Sequence, residues 1–180
     1  MAHPIASFQF ADTLPVYFIE TRKKVGQSYS AVGGLYRQFE LIYIAAAERN
    51  VIRVRTNYRH DEDIYLYRTT FTPAQACERF LEYIRSLNQL RDQPRWYNVI
   101  TTNCTTNIRT QHRITECIPW GWRMLPNRKM DEMLYKRHAV RTASLPFAEL
   151  KQRALINPAA QAANEAPDFF RLIREGRPGF

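Results

Sequence analysis

Hydrophobic and polar residues alternate along much of the first 70 residues, a pattern typical of half-buried β-strands. The segments that carry it are residues 5–10, 16–22, 40–46, 51–56 and 63–69. A glycine-containing stretch, VGQSYSAVGGLYRQ, separates the second candidate from the third and predicts a loop or short helix. The last three candidates are joined by short polar connections, which favours an antiparallel meander.

The pattern changes to a helical spacing after residue 70. Thr72 is a good N-cap, Pro73 suits the first helical position, and Gln75 completes a capping box. Apolar residues then recur at helical spacing, and we expect this helix to end before Pro94. Residues 130–140 and 145–155 carry further helical patterns, whereas residues 157–180 predict a weakly independent C-terminal segment with one short amphipathic turn at 169–173.

Length and composition favour one globular α+β domain over residues 1–180. The chain is 45% hydrophobic and 13% aromatic, which excludes a disordered protein. Its net charge of +9 favours an acidic partner or, equally, an ordinary basic surface. The sequence has no apolar run of about 18 residues and no signal peptide pattern, so neither a membrane span nor a leader is predicted.

Cysteine and histidine counts exclude several kinds of site. The three cysteines, Cys77, Cys104 and Cys117, are too scattered for a disulfide framework or a zinc site, although a Cys77–Cys117 bridge stays open. The four histidines show no spacing typical of metal ligands. We therefore predict no metal and no cofactor.

Cys104 lies in an unusual place for a free cysteine, which is ordinarily a small residue of the core. Its surroundings, TTNCTTN, are small and polar. Thr102 and Asn103 are N-cap residue types, so Cys104 is expected in the first turn of a helix, where backbone N–H groups and the helix dipole stabilise a thiolate. This predicts a thiol nucleophile; the alternative is an exposed thiol without a chemical role.

A thiol nucleophile requires a base and a group that orients the base. His3 opens an alternating strand and is the candidate base; alone, it is more typical of a surface residue. Glu20 lies in the next strand candidate and is the candidate orienting group, with Arg22 or Glu40 as competitors. A hairpin centred near residue 13 would put His3 opposite about residue 23, a short register shift from Glu20.

These residues resemble a known family. The runs AHPIASFQF, GLYRQFELIY, DIYLYRTTFTPAQA and WYNVITTNCTTNIR are similar to the Lnb N-terminal periplasmic domain family, named for a bacterial lipoprotein N-acyltransferase. The resemblance covers residues 2–170. It implies a permuted papain-like (NlpC-type) fold, with an antiparallel sheet of about five strands packed against helices and the cysteine at a helix N-terminus. It also implies Cys104 as nucleophile, His3 as general base and Glu20 as the third member.

Three functions follow as hypotheses. The first is a thiol acyltransferase or hydrolase, with Asn103, Tyr97 and Asn98 positioning the substrate or the oxyanion; the family implies phospholipid and lipoprotein substrates. The second is a cysteine peptidase or amidase on peptide or cell-wall substrates. The third, a non-enzymatic binding domain, is weakened for nucleic acid because the basic residues form no dense patch or reader motif.

The family also implies a periplasmic or membrane-associated location, and Arg22, Lys23 and Lys24 could meet an anionic membrane surface. The chain begins two residues before His3, so we expect a truncated N-terminal strand. The sequence leaves the acyl donor, the acceptor and the oligomeric state open.

Overall fold

The structure, a computed structural model, describes residues 4–10, 15–26, 30–59, 62–98 and 130–180. In chain order the described elements are β1 (Ala6–Ser7), β2 (Pro15–Arg22), α1 (Ala31–Leu35), β3 (Glu40–Ala47), α2 (Glu48–Arg53), α3 (Pro73–Asp92), α4 (Met130–Lys136), α5 (Phe147–Ala154), α6 (Asn157–Ala162) and α7 (Phe169–Leu172). The chain divides into two compact units. The first comprises residues 1–8, 16–45 and 73–129, and the second residues 9–15, 46–72 and 130–180.

The first unit is built on a three-stranded sheet in the order β1-β2-β3. The residues around the start of β3 also pair with the segment that follows α3. Leu41 donates to the Arg95 carbonyl at 2.9 Å, and Tyr97 donates to the Phe39 carbonyl at 2.8 Å. Phe39, Leu41 and Tyr97 form the buried cluster of this unit. The predicted strands at 16–22 and 40–46 are therefore confirmed, while the first strand is shorter than its alternating pattern.

Among the described residues of the first unit, α3 forms where the sequence predicted a helix, and α1 forms in the stretch predicted as a loop or short helix. Ser30 caps α1 by accepting a hydrogen bond from the Gly33 N–H at 2.8 Å, and a side chain at Gly33 would meet the Gln38 amide at 2.3 Å. Helix α3 begins at Pro73 and ends at Asp92, two residues before Pro94. Its Tyr83 is buried, and the Phe8 ring packs edge-on against both Phe80 and Tyr83, at centroid distances of 5.6 and 5.8 Å.

The second unit is mainly helical and has its own core. Ile52 of α2 packs there with residues from the last quarter of the chain: Ile156, Ala160, Ala163, Phe169 and Ile173. Ile156, Ala160 and Ile173 are fully buried. Residues 157–180, which the sequence presents as polar and weakly patterned, thus supply much of this hydrophobic core.

The strand prediction for residues 51–56 is wrong, because this segment is helical. Helix α2 ends at Arg53 and continues into a π-helical turn at Val54–Tyr58. The buried residues are Glu48, Val51, Ile52, Arg55 and Thr56, which is the i, i+3, i+4, i+7, i+8 spacing of a helical face. Three of these five are polar or charged. Because the buried face is not hydrophobic throughout, the hydrophobic pattern showed an apparent alternation instead of the helical period.

The segment at 63–69 is extended but does not join a meander. Tyr65 pairs in a single antiparallel bridge with Leu155, and Thr69 pairs in another with Val140. Ile64 and Leu66 pack on the core of the second unit, so the predicted alternation of this segment is confirmed. Its hydrogen-bonding partners are the segments at the C-terminal ends of α4 and α5, which are distant in sequence.

The α+β class is confirmed. The part of the chain that the structure describes has three strands rather than the predicted five, because residues 51–56 are helical and residues 63–69 form isolated bridges. Within the same part, no helix has both the length and the apolar character that crossing a lipid bilayer requires.

Candidate functional site

Three of the six candidate site residues fall within the description and three outside it. Glu20, Tyr97 and Asn98 are described, and all belong to the first unit. His3, Asn103 and Cys104 lie outside the described residues, so their roles stay predictions. The site is accordingly built from the strands that carry Glu20 and the segment that leads towards Cys104.

The β1–β2 hairpin was predicted, and its register corrects the sequence estimate. Ala6 pairs with Tyr17 and Ser7 with Val16 in antiparallel fashion. The paired residue numbers add up to 23, whereas a hairpin centred near residue 13 would add up to about 26. The estimate failed because it assumed a symmetrical turn between the ends of the two apolar patterns, while β1 stops short of its pattern.

Glu20 is half-buried near the end of β2. Its Oε1 accepts hydrogen bonds from the backbone N–H of Thr21 at 3.2 Å and from the Thr21 hydroxyl at 3.5 Å. Thr21 itself is only 6% exposed. Both bonds are to the next residue along β2.

The two competitors for the orienting role contact each other instead. Arg22 Nη1 lies 3.0 Å from Glu40 Oε2, and the two side chains are 69% and 52% exposed. Exposed pairs of this kind contribute at most about 1 kcal/mol to stability. Among these three residues, Glu20 is the one in a partly desolvated environment.

Tyr97 and Asn98 lie on the segment that pairs with the start of β3. Tyr97 is 5% exposed and packs with Phe39 and Leu41, a setting typical of a core residue. Asn98 donates from Nδ2 to the Leu35 carbonyl at 3.4 Å. Their predicted role at an oxyanion stays a prediction, and the chain runs six residues from Asn98 to Cys104.

A second cluster of titratable groups, in the second unit, escaped the sequence analysis. Lys151 Nζ lies 2.7 Å from Asp131 Oδ2 and 4.9 Å from the centroid of the Tyr65 ring. The hydrogen bond to Asp131 raises the pKa of Lys151. Burial and the nearby Asp131 carboxylate raise the pKa of Tyr67. The i, i+2 spacing of Tyr65 and Tyr67 was visible, but their partners are more than 60 residues away.

The described residues offer no metal site. No group of three or more His, Cys, Asp or Glu side chains among them converges closely enough to hold an ion. Cys77 is a free, exposed thiol on α3.

One family model matches the chain. Residues 1–121 match the model described as the Lnb N-terminal periplasmic domain. No curated protein and no solved structure matches the chain. The matched region contains β1, β2, β3 and α3, together with all six candidate site residues.

Proposed function

Because the chain belongs to the Lnb N-terminal periplasmic domain family, we propose that it is a thiol acyltransferase or hydrolase with Cys104 as its nucleophile. In this proposal His3 is the general base and Glu20 orients its imidazole. The family places the chain among periplasmic domains of Lnb-type proteins. The proposed acyl donor is a phospholipid, and the proposed acceptor is a lipoprotein amine or water.

The proposed reaction proceeds through a thioester. His3 takes the proton of the Cys104 thiol, and the thiolate attacks the ester carbonyl of the donor. The tetrahedral oxyanion is held by backbone N–H groups near Asn103 and Cys104. The donor oxygen then leaves with the proton from His3. An amine or water attacks the thioester, loses its proton to His3 and releases the thiolate.

The register of the β1–β2 hairpin is the observation that carries this proposal. If the pairing in which residue numbers add up to 23 continues three residues beyond Ala6, residue 3 is directly opposite residue 20. Directly opposite residues of antiparallel strands project from the same face of the sheet. The recorded ladder ends at the Ala6–Tyr17 pair, and Pro4 and Ile5 lie outside β1; the proposed His3–Glu20 contact requires the same register to hold over residues 3–5.

Two further features of the hairpin support the same contact. Strand β2 extends to Arg22, so a partner strand is present along the whole length that the continued pairing needs. Strand β1 is at the edge of the sheet, where Pro4, which has no N–H to donate, is tolerated. A half-buried carboxylate at position 20 would then favour the tautomer and orientation of the imidazole that a general base requires.

The proposal is tested by alkylating the protein with iodoacetamide over a range of pH and resolving the three cysteines by mass spectrometry. We expect Cys104 to react rapidly below about pH 7, as an activated thiolate does. Cys77, which is exposed and free, is the internal reference, and Cys104 should react faster than Cys77 below about pH 7. His3→Ala should make Cys104 resemble Cys77.

A matched histidine substitution controls for a general effect on folding. His138 is exposed and has a φ of 54°, so His138→Asn retains a residue that tolerates this conformation. It should leave the alkylation profile of Cys104 unchanged. Equal titration of Cys104 and Cys77 in the unaltered protein would refute the proposal. The rate at which the Cys104 thioester breaks down with and without an added amine, and whether the product is an amide or a free acid, then separates transfer from hydrolysis.

A further inference from the structure

Three neighbouring segments of the first unit are exposed at every residue except Phe39 and are here called the basic–aromatic edge: residues 22–26, 35–40 and 95–96. Glu40 is where they meet. Its carboxylate pairs with Arg22 at 3.0 Å, and its backbone is bridged to Trp96. The segment of residues 35–40 is also joined to the chain after Trp96, since the Leu35 carbonyl accepts a hydrogen bond from Asn98, two residues beyond Trp96.

The basic–aromatic edge carries a local excess of positive charge. Five of its exposed residues are cationic and one, Glu40, is anionic, so the excess is four charges. The cationic residues are Arg22, Lys23, Lys24, Arg37 and Arg95. No single stretch of sequence contains all of them, which explains why the sequence pattern showed no dense basic patch.

Large apolar side chains are exposed among these charges. Val25 has a relative exposure of 107%, Tyr36 of 73%, Trp96 of 48% and Leu35 of 42%. Val25 stands at a turn in which Gly26 has a φ of 79°, and among the described residues no atom lies within 4 Å of where a Gly26 side chain would begin. A fully exposed valine between a lysine pair and a glycine turn contributes nothing to the core of the unit.

We propose that the basic–aromatic edge docks on an anionic lipid bilayer. Lys and Arg attract the negatively charged headgroups, while Trp and Tyr are suited to the boundary between headgroups and acyl chains. Val25 and Leu35 gain free energy only from an apolar environment, which a nucleic acid backbone does not provide. This combination of exposed aliphatic, aromatic and basic residues therefore fits a lipid surface better than a soluble polyanion.

The inference deepens the proposed function and rests on it for its purpose, since docking would bring a phospholipid donor to the protein. The two remain separable by experiment. Vesicle binding needs no reaction, so Cys104→Ser should bind as the unaltered protein does. If the unaltered protein does not bind vesicles but its Cys104 thiol is activated, the docking alone is overturned. If it binds vesicles but Cys104 reacts as an ordinary thiol, the thiol chemistry alone is overturned.

The test is cosedimentation of the full chain with vesicles of phosphatidylcholine, alone or in an equimolar mixture with phosphatidylglycerol. We expect binding to the mixed vesicles only, weakening as salt is raised. Lys23→Gln/Lys24→Gln should lower the partition coefficient by about fivefold for each lysine. Val25→Asp should lower it by about tenfold because the apolar contact is lost. All three residues are exposed, and circular dichroism of each variant checks that its fold is retained.

The matched control removes the same charge elsewhere. Lys136 and Arg137 are exposed neighbours in the second unit, and Lys136→Gln/Arg137→Gln should leave binding nearly unchanged. An equal loss in this control would show that net charge, not the edge, governs binding, and would overturn the proposal. Equal binding to pure phosphatidylcholine, no effect of Val25→Asp, or tighter binding of a single-stranded oligonucleotide would overturn it as well.

Discussion

Arg174 forms a two-pronged ion pair with Glu48, donating from Nη1 to Oε2 at 2.8 Å and from Nη2 to Oε1 at 2.7 Å. The Glu48 side chain is 3% exposed and that of Arg174 is 16% exposed. A bidentate pair satisfies both carboxylate oxygens with good geometry. It joins the first residue of α2 to the chain just beyond α7, across 126 positions of sequence.

Breaking this pair should destabilise the second unit strongly. We expect Arg174→Met and Glu48→Met each to lower the free energy of unfolding by about 3–5 kcal/mol, since either change removes the ion-pair partner of a buried charge. The double variant Glu48→Met/Arg174→Met should be less destabilised than either single variant. Hydrogen exchange measured over α2 and α7 checks this locally.

The exposed pair of Arg22 and Glu40 is the control for that experiment. Arg22→Met should change the free energy of unfolding by less than about 1 kcal/mol. A loss at Arg174 no larger than the loss at Arg22 would contradict the assignment of the Glu48–Arg174 pair as a buried contact.

The hairpin register predicts a specific disulfide. In a background of Cys77→Ser, Cys104→Ser and Cys117→Ser, we expect His3→Cys/Glu20→Cys to oxidise readily. Opposite residues in antiparallel strands have Cα atoms about 4.5–5.5 Å apart, within the range of about 4.4–6.8 Å that a disulfide spans. Mass spectrometry of the non-reduced protein measures the bond.

The matched variant for the alternative register is His3→Cys/Lys23→Cys. Residue 23 is three positions further along the chain than residue 20, which is about 10 Å in an extended strand, so no disulfide should form. Preferential oxidation of the residue 23 variant would contradict the continued register and remove the support for a His3–Glu20 contact.

Tyr67 should make stability depend on pH under alkaline conditions. Burial and the Asp131 carboxylate raise its pKa in the folded protein above the usual value of about 10. The unfolded chain then loses the Tyr67 proton first, so the stabilisation is complete below about pH 10 and falls above it, by at most about 1.4 kcal/mol per pH unit.

Tyr67→Phe isolates this contribution. The Tyr67 hydroxyl is buried and, among the described residues, has no hydrogen-bond partner of good geometry. The substitution should therefore be neutral or slightly stabilising near neutral pH and should flatten the fall in stability above about pH 10. Urea unfolding at several pH values measures both effects. Identical alkaline slopes for the two proteins would refute the prediction.

Asn157 should be important for holding the extended segment of residues 63–69. Its Oδ1 accepts from the Ile64 N–H at 2.8 Å, and its Nδ2 donates to the Glu62 carbonyl at 2.8 Å. Asn157→Ala leaves both backbone groups without this partner and should lower the free energy of unfolding by about 1–3 kcal/mol. Urea unfolding followed by far-ultraviolet circular dichroism measures the loss.

The control for Asn157 is Gln152→Ala, an exposed polar residue on α5. It should change the free energy of unfolding by no more than about 0.5 kcal/mol. If the two variants were equally stable, the hydrogen bonds of Asn157 would not be what fixes this segment.

The sequence by itself determined the elements whose signals are local. The cap and proline before α3, the alternating pattern of β2 and the helical pattern of α5 each depend on residues a few positions apart, so they could be interpreted without knowing the fold. The family motif likewise lies within short runs, and its match over residues 1–121 is independent of any contact.

Only the tertiary structure decided the features that depend on distant partners. Glu48 and Arg55 are buried on a helical face because Arg174 and Glu62 neutralise them; from sequence alone, Glu48 belonged to a polar connection and Arg55 to one face of a predicted strand. The hairpin register, in which Ala6 pairs with Tyr17, and the meeting of three segments at Glu40 were equally invisible. Pairing across long stretches of chain depends on packing and on the desolvation of charged groups, and neither is encoded in local periodicity.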